Sequence, residues 1–167
     1  YKHQVLKQAD TMLALMLLDY DDETVLEDSF NYYEPITTHD SSLSKCIYSI
    51  VAYKLQKEEM ACDYFMKVLE TDIENTHKNT EHGLHVANLG GSYLGFVYGV
   101  VGLRIHRGYL KLNPKTNEHL KGYKINIQYQ GETVTLTVNE SIKIETTGNV
   151  TIMLNNELYE VDGVLEY

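Results

Sequence analysis

The spacing of apolar residues divides the chain into two regions with different periods. From Tyr1 to about Leu103 the apolar residues recur every three to four positions, as on one face of an α-helix. From about Gly108 to Tyr167 they alternate with polar residues, as in β-strands with one buried face. The pattern predicts a mainly helical region, residues 1–105, followed by a small antiparallel β domain, residues 106–167.

Five helices are predicted in the first region from the apolar spacing and from residues that begin or break helices. Glu34-Pro35 ends the second helix, because the residue before proline is pushed away from the α region. The predicted ranges are about 2–18, 23–33, 42–57, 58–75 and 84–103.

The fifth predicted helix is apolar on nearly all sides. Its glycines at positions 91, 95 and 99 share one face, where a neighbouring backbone can approach closely. A membrane span is the alternative interpretation. The fully apolar part from Leu89 covers only fifteen residues, whereas a bilayer needs about 20. We therefore expect a central helix buried in a large helical protein.

Turn residues divide the second region into hairpins. Gly131-Glu132 separates an alternating run that ends at Tyr129 from another that starts at Val134. Asn155-Asn156 marks a further turn after Leu154.

Composition narrows the classes of partner. The net charge is −10 and the pI about 5.1, which argues against nucleic acid or an anionic membrane, since both attract clustered Lys and Arg. Cys46 and Cys62 lie in apolar segments and are interpreted as buried thiols of a reducing compartment, with a disulfide as the alternative. The chain opens directly in a helical pattern at Tyr1, so we expect an earlier portion of a larger protein.

Polar residues cluster in THDSSLS, Thr38–Ser44, directly before the third helix. Capping by Asp40 or Ser41 is one explanation. The other is an anion site, because several short donors at a helix N-terminus suit phosphate.

Two further polar groups have more than one interpretation. In HGLH, His82 and His85 are a loop and a core histidine, or metal ligands with Asp40, or, for His85, a donor to the same anion as the serines. Lys7-Gln8 is either a surface pair with a snorkelling lysine or a pair of donors for sugar hydroxyls.

Three motifs in this order resemble the maltose phosphorylase family, glycoside hydrolase family 65, which includes kojibiose, nigerose and trehalose phosphorylases. They are LKQAD (Leu6–Asp10), NYYEP with TTHDSSLS (Asn31–Ser44), and NTEHGLHVANLGGSY (Asn79–Tyr93). The resemblance covers the whole chain; it is strong through about Arg107 and diffuse in the β region.

The resemblance implies an architecture. The family has an N-terminal β-sandwich, an (α/α)6 barrel and a small C-terminal β domain. Residues 1–105 would be the last barrel helices, and residues 106–167 the C-terminal antiparallel β domain. The implied partner is the rest of the same polypeptide, the β-sandwich and the first barrel helices, in a cytoplasmic homodimer that binds neither nucleic acid nor membrane.

The resemblance also implies a reaction. The family cleaves α-linked glucosyl disaccharides with inorganic phosphate and inverts the anomeric centre, giving β-glucose 1-phosphate and a free sugar. Maltose is the default disaccharide, phosphate is the co-substrate, and neither cofactor nor metal is implied. The general acid, a Glu, lies in an earlier barrel segment, so the resemblance implies no catalytic residue here and no turnover by this chain alone.

The motifs transfer roles to particular residues. Lys7 and Gln8 match the pair that binds the glucosyl unit, with Glu34 nearby on the substrate side. Ser41, Ser42 and His85 match the phosphate pocket. His39, Asp40 and His82 would be supporting neighbours.

Two other functions stay open. One is hydrolysis within the same family, which would require a carboxylate in place of a phosphate-binding serine. The other is a non-catalytic sugar-binding module.

Overall fold

The computed structural model describes residues 3–41, 43–106, 108–117 and 119–167. The chain divides into two compact units, Tyr1–Gly99 and Val100–Tyr167. The helices of the first unit are α1 (Asp10–Leu17), α2 (Glu23–Tyr33), α3 (Ser44–Lys54), α4 (Glu58–Ile73) and α5 (Val86–Leu94). Short 3₁₀ turns span Glu34–Ile36 and Thr80–His82, and a π-helical segment, Gly95–Val100, continues α5 to the boundary between the units.

Helix α3 forms the centre of the first unit. Its residues from Cys46 to Tyr53 are all buried, and Tyr48 is fully inaccessible to solvent. Helix α4 packs against it through Ala61, Phe65 and neighbouring buried positions, which recur every three to four residues as predicted.

The predicted first helix, residues 2–18, is wrong at its start, because α1 begins at Asp10. Leu6 instead pairs with Thr37 in a parallel β-bridge. The Leu6 N–H donates to the Ile36 carbonyl at 2.8 Å, and the Thr38 N–H donates to the Leu6 carbonyl at 2.8 Å. These bonds satisfy the extended backbone, so Lys7 and Gln8 precede the helix rather than lie on it.

The fifth predicted helix is shorter and more exposed than expected. Helix α5 buries Asn88 and Gly91, whereas Val86 is 76% and Tyr93 65% exposed. Within this chain the helix is only partly buried, and its burial in a larger helical protein stays a prediction. The predicted close approach at its glycines is present: a Cβ added at Gly91 would lie 3.2 Å from Cys46 Cβ. Within the described residues, no helix combines the length and hydropathy needed to cross a membrane.

The described part of the second unit forms two four-stranded sheets. The strands are β1 (Arg104–His106), β2 (Tyr109–Leu112), β3 (Tyr123–Tyr129), β4 (Glu132–Val138), β5 (Ile142–Thr146), β6 (Val150–Leu154), β7 (Glu157–Val161) and β8 (Val164–Glu166). One sheet has the order β1-β2-β6-β7 and the other β3-β4-β5-β8. The apolar positions of β4 and β6 are buried in alternation, as predicted.

A purely antiparallel β domain is nevertheless wrong, because β2 pairs with β6 in parallel. Alternation of apolar residues does not encode strand direction, so this pairing left no signal in the sequence. The β3–β4 hairpin turns at Gln130 and Gly131, one position earlier than predicted, and both residues have positive φ. The turn at Asn155-Asn156 is confirmed, again with two positive φ values.

The two cysteines differ in their surroundings. Both are thiols, so the alternative disulfide is wrong. Cys46 is buried and desolvation raises its pKa to about 11, which makes it unreactive at neutral pH. Cys62 is only partly buried, contrary to the prediction for it.

Candidate functional site

The THDSSLS segment forms a tight turn into α3 rather than a side-chain cap. Helix α3 starts at Ser44, and its N-cap is Leu43, whose side chain cannot accept a hydrogen bond. The Leu43 N–H donates to Ser41 Oγ at 3.3 Å. Asp40 is exposed. Capping of α3 by Asp40 is therefore wrong, and Ser41 holds the turn two residues before the cap. Ser42 lies outside the described residues.

His39 shapes this turn and lies in a hydrogen-bonded chain of side chains. Its backbone has φ 55°, an uncommon conformation for a non-glycine residue. Its Nδ1 lies 3.2 Å from Ser44 Oγ, and its Nε2 lies 3.2 Å from the Tyr64 hydroxyl. Tyr64 in turn donates to Glu34 Oε1 at 2.5 Å. The chain thus joins α3, α4 and the 3₁₀ turn that precedes the motif.

Protonation fixes the direction of these bonds. Burial lowers the pKa of His39, so the ring is neutral near pH 7. Burial and the hydrogen bond to Glu34 raise the pKa of Tyr64 far above its ordinary value, so its hydroxyl keeps its proton. Since Tyr64 donates to Glu34, it accepts from Nε2–H of His39, and Nδ1 is left as an acceptor. The single proton of the Ser44 hydroxyl then faces two acceptors, His39 Nδ1 and the Ser41 carbonyl, each at 3.2 Å.

The start of the motif is anchored separately. Thr37 Oγ1 donates to the Tyr33 carbonyl at 2.7 Å and lies 2.8 Å from the hydroxyl of the buried Tyr48. The His39 ring also contacts the Tyr48 ring edge-on, with centroids 4.9 Å apart. Thr37, Tyr48 and His39 therefore fix the backbone on the N-terminal side of Ser41.

His85 is held by a carboxylate that the sequence did not single out. Its Nδ1 lies 2.5 Å from Asp72 Oδ1, and its backbone N–H donates to Asp72 Oδ2 at 2.9 Å. The hydrogen bond from His85 is the main cause that lowers the pKa of Asp72, so Asp72 is ionised at neutral pH. An ionised carboxylate only accepts, so Nδ1 of His85 carries the proton and Nε2 is left for a ligand.

The metal alternative is not formed. His82 is exposed and its Nε2 lies 3.6 Å from Glu81 Oε1, while His85 is committed to Asp72. The described residues contain no group of three or more His, Cys, Asp or Glu side chains able to hold a metal ion. His82 also makes none of the contacts with the THDSSLS turn that His39 makes.

A cavity of about 280 Å³ lies between the starts of α1 and α3 and one face of α5. Its lining residues are Gln8, Ala9, Asp10, Leu13, Leu43, Cys46, Ile47, Ala87, Gly90, Gly91 and Leu94. Gln8 therefore faces the cavity beside the start of α3. Lys7 is exposed and does not line the cavity.

None of these three helices is capped by its N-cap side chain. The N-caps of α1 and α3 are the apolar Ala9 and Leu43, and that of α5 is His85, which bonds Asp72 instead. The first turns of α3 and α5 contain no acidic residue, whereas the first turn of α1 contains Asp10. The start of α3 thus favours an anion through the partial positive charge of a helix N-terminus, whereas at the start of α5 the Asp72 carboxylate already bonds the backbone N–H of His85.

Sequence reasoning missed Tyr64, Asp72 and Ser44. Tyr64, Val68 and Asp72 follow one row of α4 at four-residue spacing. A carboxylate that continues a buried row is a recognisable signal, because buried charges need a partner. Ser44 was counted only as the end of a motif, yet it is 1% exposed and bonds His39.

This helical unit, followed by a β unit, matches two domain descriptions of one enzyme family. Residues 1–94 match the glycosyl hydrolase family 65 central catalytic domain, and residues 103–161 match the C-terminal domain of the same family. The chain belongs to glycoside hydrolase family 65, as its motifs predicted.

Similar proteins include several disaccharide phosphorylases. An alpha,alpha-trehalose phosphorylase of Geobacillus stearothermophilus is 46% identical over 94% of this chain and 20% of its own length. A maltose phosphorylase of Bacillus subtilis is 33% identical over 81% of this chain and 18% of its own length. A solved structure of a human-microbiome protein, assigned as a kojibiose phosphorylase, matches 98% of this chain and 22% of its own with TM-score 0.92 and 29% identity. The chain thus spans about one fifth of the length of these relatives.

Proposed function

We propose that this chain supplies the phosphate pocket and part of the glucosyl pocket of an inverting disaccharide phosphorylase. The reaction is cleavage of an α-linked glucosyl disaccharide by inorganic phosphate, giving β-glucose 1-phosphate and a free sugar. The observation that carries the proposal is His85 held by Asp72 at the start of α5, with the cavity lined by Gln8 beside the same helix.

The two ends of this site suit the two substrates. We place phosphate where α3 and α5 begin, with Ser41, Ser42 and His85 as its donors; Ser41 and His85 are not among the described residues that line the cavity. The sugar belongs at the end with Gln8 and Asp10, because a carboxylate repels phosphate but accepts hydrogen bonds from hydroxyls. Lys7 is exposed and directly precedes Gln8, so we place it beside the sugar.

A phosphorylase needs hydrogen-bond donors at the place where an inverting hydrolase has a carboxylate base. An inverting hydrolase activates water with a carboxylate, whereas phosphate is already an anionic nucleophile and needs only to be held and oriented. With its Nδ1 proton committed to Asp72, His85 presents Nε2 to a phosphate oxygen. As an imidazolium ion it donates from Nε2, and as a neutral ring it accepts from a protonated phosphate oxygen. Glu34 is occupied by Tyr64, so it is a supporting group rather than a base.

Several parts of the proposal lie outside the described residues of this chain. We propose that an (α/α)6 barrel is completed by other segments of a longer polypeptide, which also supply the glutamic acid that protonates the leaving sugar. On this proposal the chain alone is inactive, and the complete cytoplasmic enzyme is a homodimer without cofactor. Phosphate-dependent turnover by residues 1–167 alone would contradict it.

Trehalose is the first disaccharide to test, and maltose, kojibiose and nigerose are the others. The trehalose phosphorylase of Geobacillus stearothermophilus shares 46% identity with the chain, against 33% for the Bacillus subtilis maltose phosphorylase. The longer polypeptide is incubated with each sugar, with and without phosphate, and the anomeric protons are followed by NMR. β-Glucose 1-phosphate that appears only with phosphate supports the proposal; phosphate-independent glucose release would show a hydrolase instead.

Substitutions separate the two pockets. His85→Ala should raise the KM for phosphate much more than the KM for disaccharide, because it removes one phosphate donor. Lys7→Ala should show the reverse preference. Loss of one charge-assisted hydrogen bond costs about 1.5–3 kcal/mol, roughly ten- to a hundredfold. Equal effects on both KM values would contradict the assignment of the two ends.

A non-catalytic sugar-binding module is the second candidate. It is favoured by the apolar wall of the cavity at Leu13, Ile47 and Leu94, against which a sugar face can lie. Disaccharide binding by a longer polypeptide that shows no turnover with phosphate would support the module.

A further inference from the structure

We propose that α4, although it contributes no lining residue to the cavity, aligns both halves of the phosphate pocket through Tyr64 and Asp72. This inference rests on the proposed phosphorylase function. Among the described residues that line the cavity, none comes from Glu58–Ile73. Tyr64 and Asp72 would therefore be positioning residues that act through their neighbours.

Tyr64 connects α4 to the serine-bearing turn. It is 7% exposed and sits near the middle of α4. Its single hydroxyl bonds both Glu34 and His39, and its ring lies against the His39 ring with centroids 5.0 Å apart. Removing that hydroxyl takes the Nε2 hydrogen bond from His39, which holds the left-handed bend two residues before Ser41.

Asp72 connects the same helix to the histidine-bearing turn. One carboxylate oxygen binds the His85 ring and the other binds the His85 backbone N–H, so both the ring and the start of α5 are fixed. Its side chain is 8% exposed, and His85's is 23% exposed. An asparagine at this position has one acceptor oxygen, so it can satisfy only one of these two donors.

Other bonds make α4 a common support for both turns. The Ser49 hydroxyl of α3 donates to the Ala61 carbonyl at 2.8 Å, and Asn88 Nδ2 of α5 donates to the Val68 carbonyl at 2.8 Å. Tyr64, Val68 and Asp72 lie on the row of α4 that carries most of these links. The spacing between the Ser41 turn and His85 is thereby set by one rigid element.

The test uses the longer polypeptide with the substitutions Tyr64→Phe and Asp72→Asn. Each should raise the KM for phosphate by roughly tenfold. Asp72→Asn should leave the KM for disaccharide within about twofold, whereas Tyr64→Phe also removes a hydrogen bond from Glu34 and should raise that KM less than the KM for phosphate. Matched controls are Tyr32→Phe, an exposed tyrosine bonded to Gln4, and Glu70→Gln, an exposed carboxylate on α4. Asp72→Glu, which keeps the carboxylate, should recover part of the loss.

A second readout does not depend on turnover. In the isotopically labelled 167-residue chain, ¹⁵N NMR of the imidazole nitrogens should show His85 protonated at Nδ1, and Asp72→Asn should shift that proton distribution. An unchanged His85 tautomer in Asp72→Asn would overturn the role of Asp72. If Asp72→Asn does not fold, the KM values of Tyr64→Phe alone test the proposal.

The outcomes separate the two proposals. If the wild-type protein turns over with phosphate and the variants have unchanged KM values, this inference is overturned and the phosphorylase proposal stands. Equal rises in both KM values also overturn it, because they indicate general disruption. Wild-type protein without any phosphate dependence overturns the phosphorylase proposal, and the positioning role fails with it.

Discussion

Two adjacent glycines of α5 offer a sharp test of how tightly the first unit is packed. An added Cβ at Gly90 would meet nothing within 4 Å. An added Cβ at Gly91 would lie 3.2 Å from Cys46 Cβ and 3.4 Å from Cys46 Sγ. The substitutions Gly90→Ala and Gly91→Ala are chemically identical, lie on the same helix and both border the cavity, so only their surroundings differ.

The expected magnitudes follow from two opposed effects. Alanine in place of glycine inside a helix stabilises by about 0.5–1 kcal/mol, because it restricts the unfolded chain. At Gly91 this gain is opposed by overpacking, which typically costs about 1–3 kcal/mol. Cys46 cannot yield easily, because it is 3% exposed and its Cβ is fixed to the backbone of α3. Gly90→Ala should therefore be more stable than wild type, and Gly91→Ala less stable than Gly90→Ala by about 1–3 kcal/mol.

The assay is urea-induced unfolding of the 167-residue chain, followed by far-ultraviolet circular dichroism. The midpoint and the slope are measured for wild type and both variants, and equal slopes make the midpoints comparable. Equal stabilisation by both substitutions would refute the close packing of α5 on α3. Destabilisation by Gly90→Ala would refute the open surroundings of that position.

Three further predictions concern single groups. Tyr48→Phe should lower the free energy of unfolding by about 0.5–1.5 kcal/mol in the same assay, because the Thr37 hydroxyl loses a buried partner; no change would contradict that bond. His39 should titrate by NMR with a midpoint below 6.5. His39 in the unfolded chain then binds a proton more readily than His39 in the folded chain. The contribution of His39 to the free energy of unfolding is therefore present above pH 6.5 and lost as the pH falls below it. A midpoint at or above 6.5 would refute the burial argument. Gly131→Ala should destabilise by about 1 kcal/mol, because φ is 89° there and no contact compensates; an unchanged urea midpoint would show that the turn relaxes.

The sequence predicted the helices best where local signals agreed with packing. Helix α2 has the predicted limits because Asp22 caps it, accepting from the Val25 N–H at 3.1 Å, and Glu34-Pro35 follows its end. Helix α4 begins at the predicted residue and buries most of its predicted apolar row. In both, propensity, capping and burial favour the same boundaries.

The start of α1 was not predictable from periodicity. Val5 and Leu6 continue the helical spacing, but Val5 is 63% exposed and Leu6 pairs with Thr37 across a long sequence distance. A bridge between distant residues overrides local propensity and leaves no local trace. The parallel pairing of β2 with β6 escaped prediction for the same reason.

The candidate site was predictable as a set of motifs and not as a set of contacts. His39 and His85 stood out because the polar motifs THDSSLS and HGLH each open a predicted helix. Their partners Tyr64 and Asp72 lie on α4, within an ordinary amphipathic pattern, and became visible only when the helices were placed together. The roles of Ser41, Ser42 and Lys7 stay predictions.

The pairing order of the second unit has a consequence for how the chain folds during synthesis. The β3–β4 hairpin joins neighbouring residues and can form as soon as Val138 leaves the ribosome. Strand β2 must wait for β6, since Leu110 pairs with Ile152, and β5 must wait for β8. Until those late strands arrive, the early ones present unpaired edges to other nascent chains. Folding of this unit should therefore be slow and completed only after β8 has been synthesised, and a chaperone would matter most before that point.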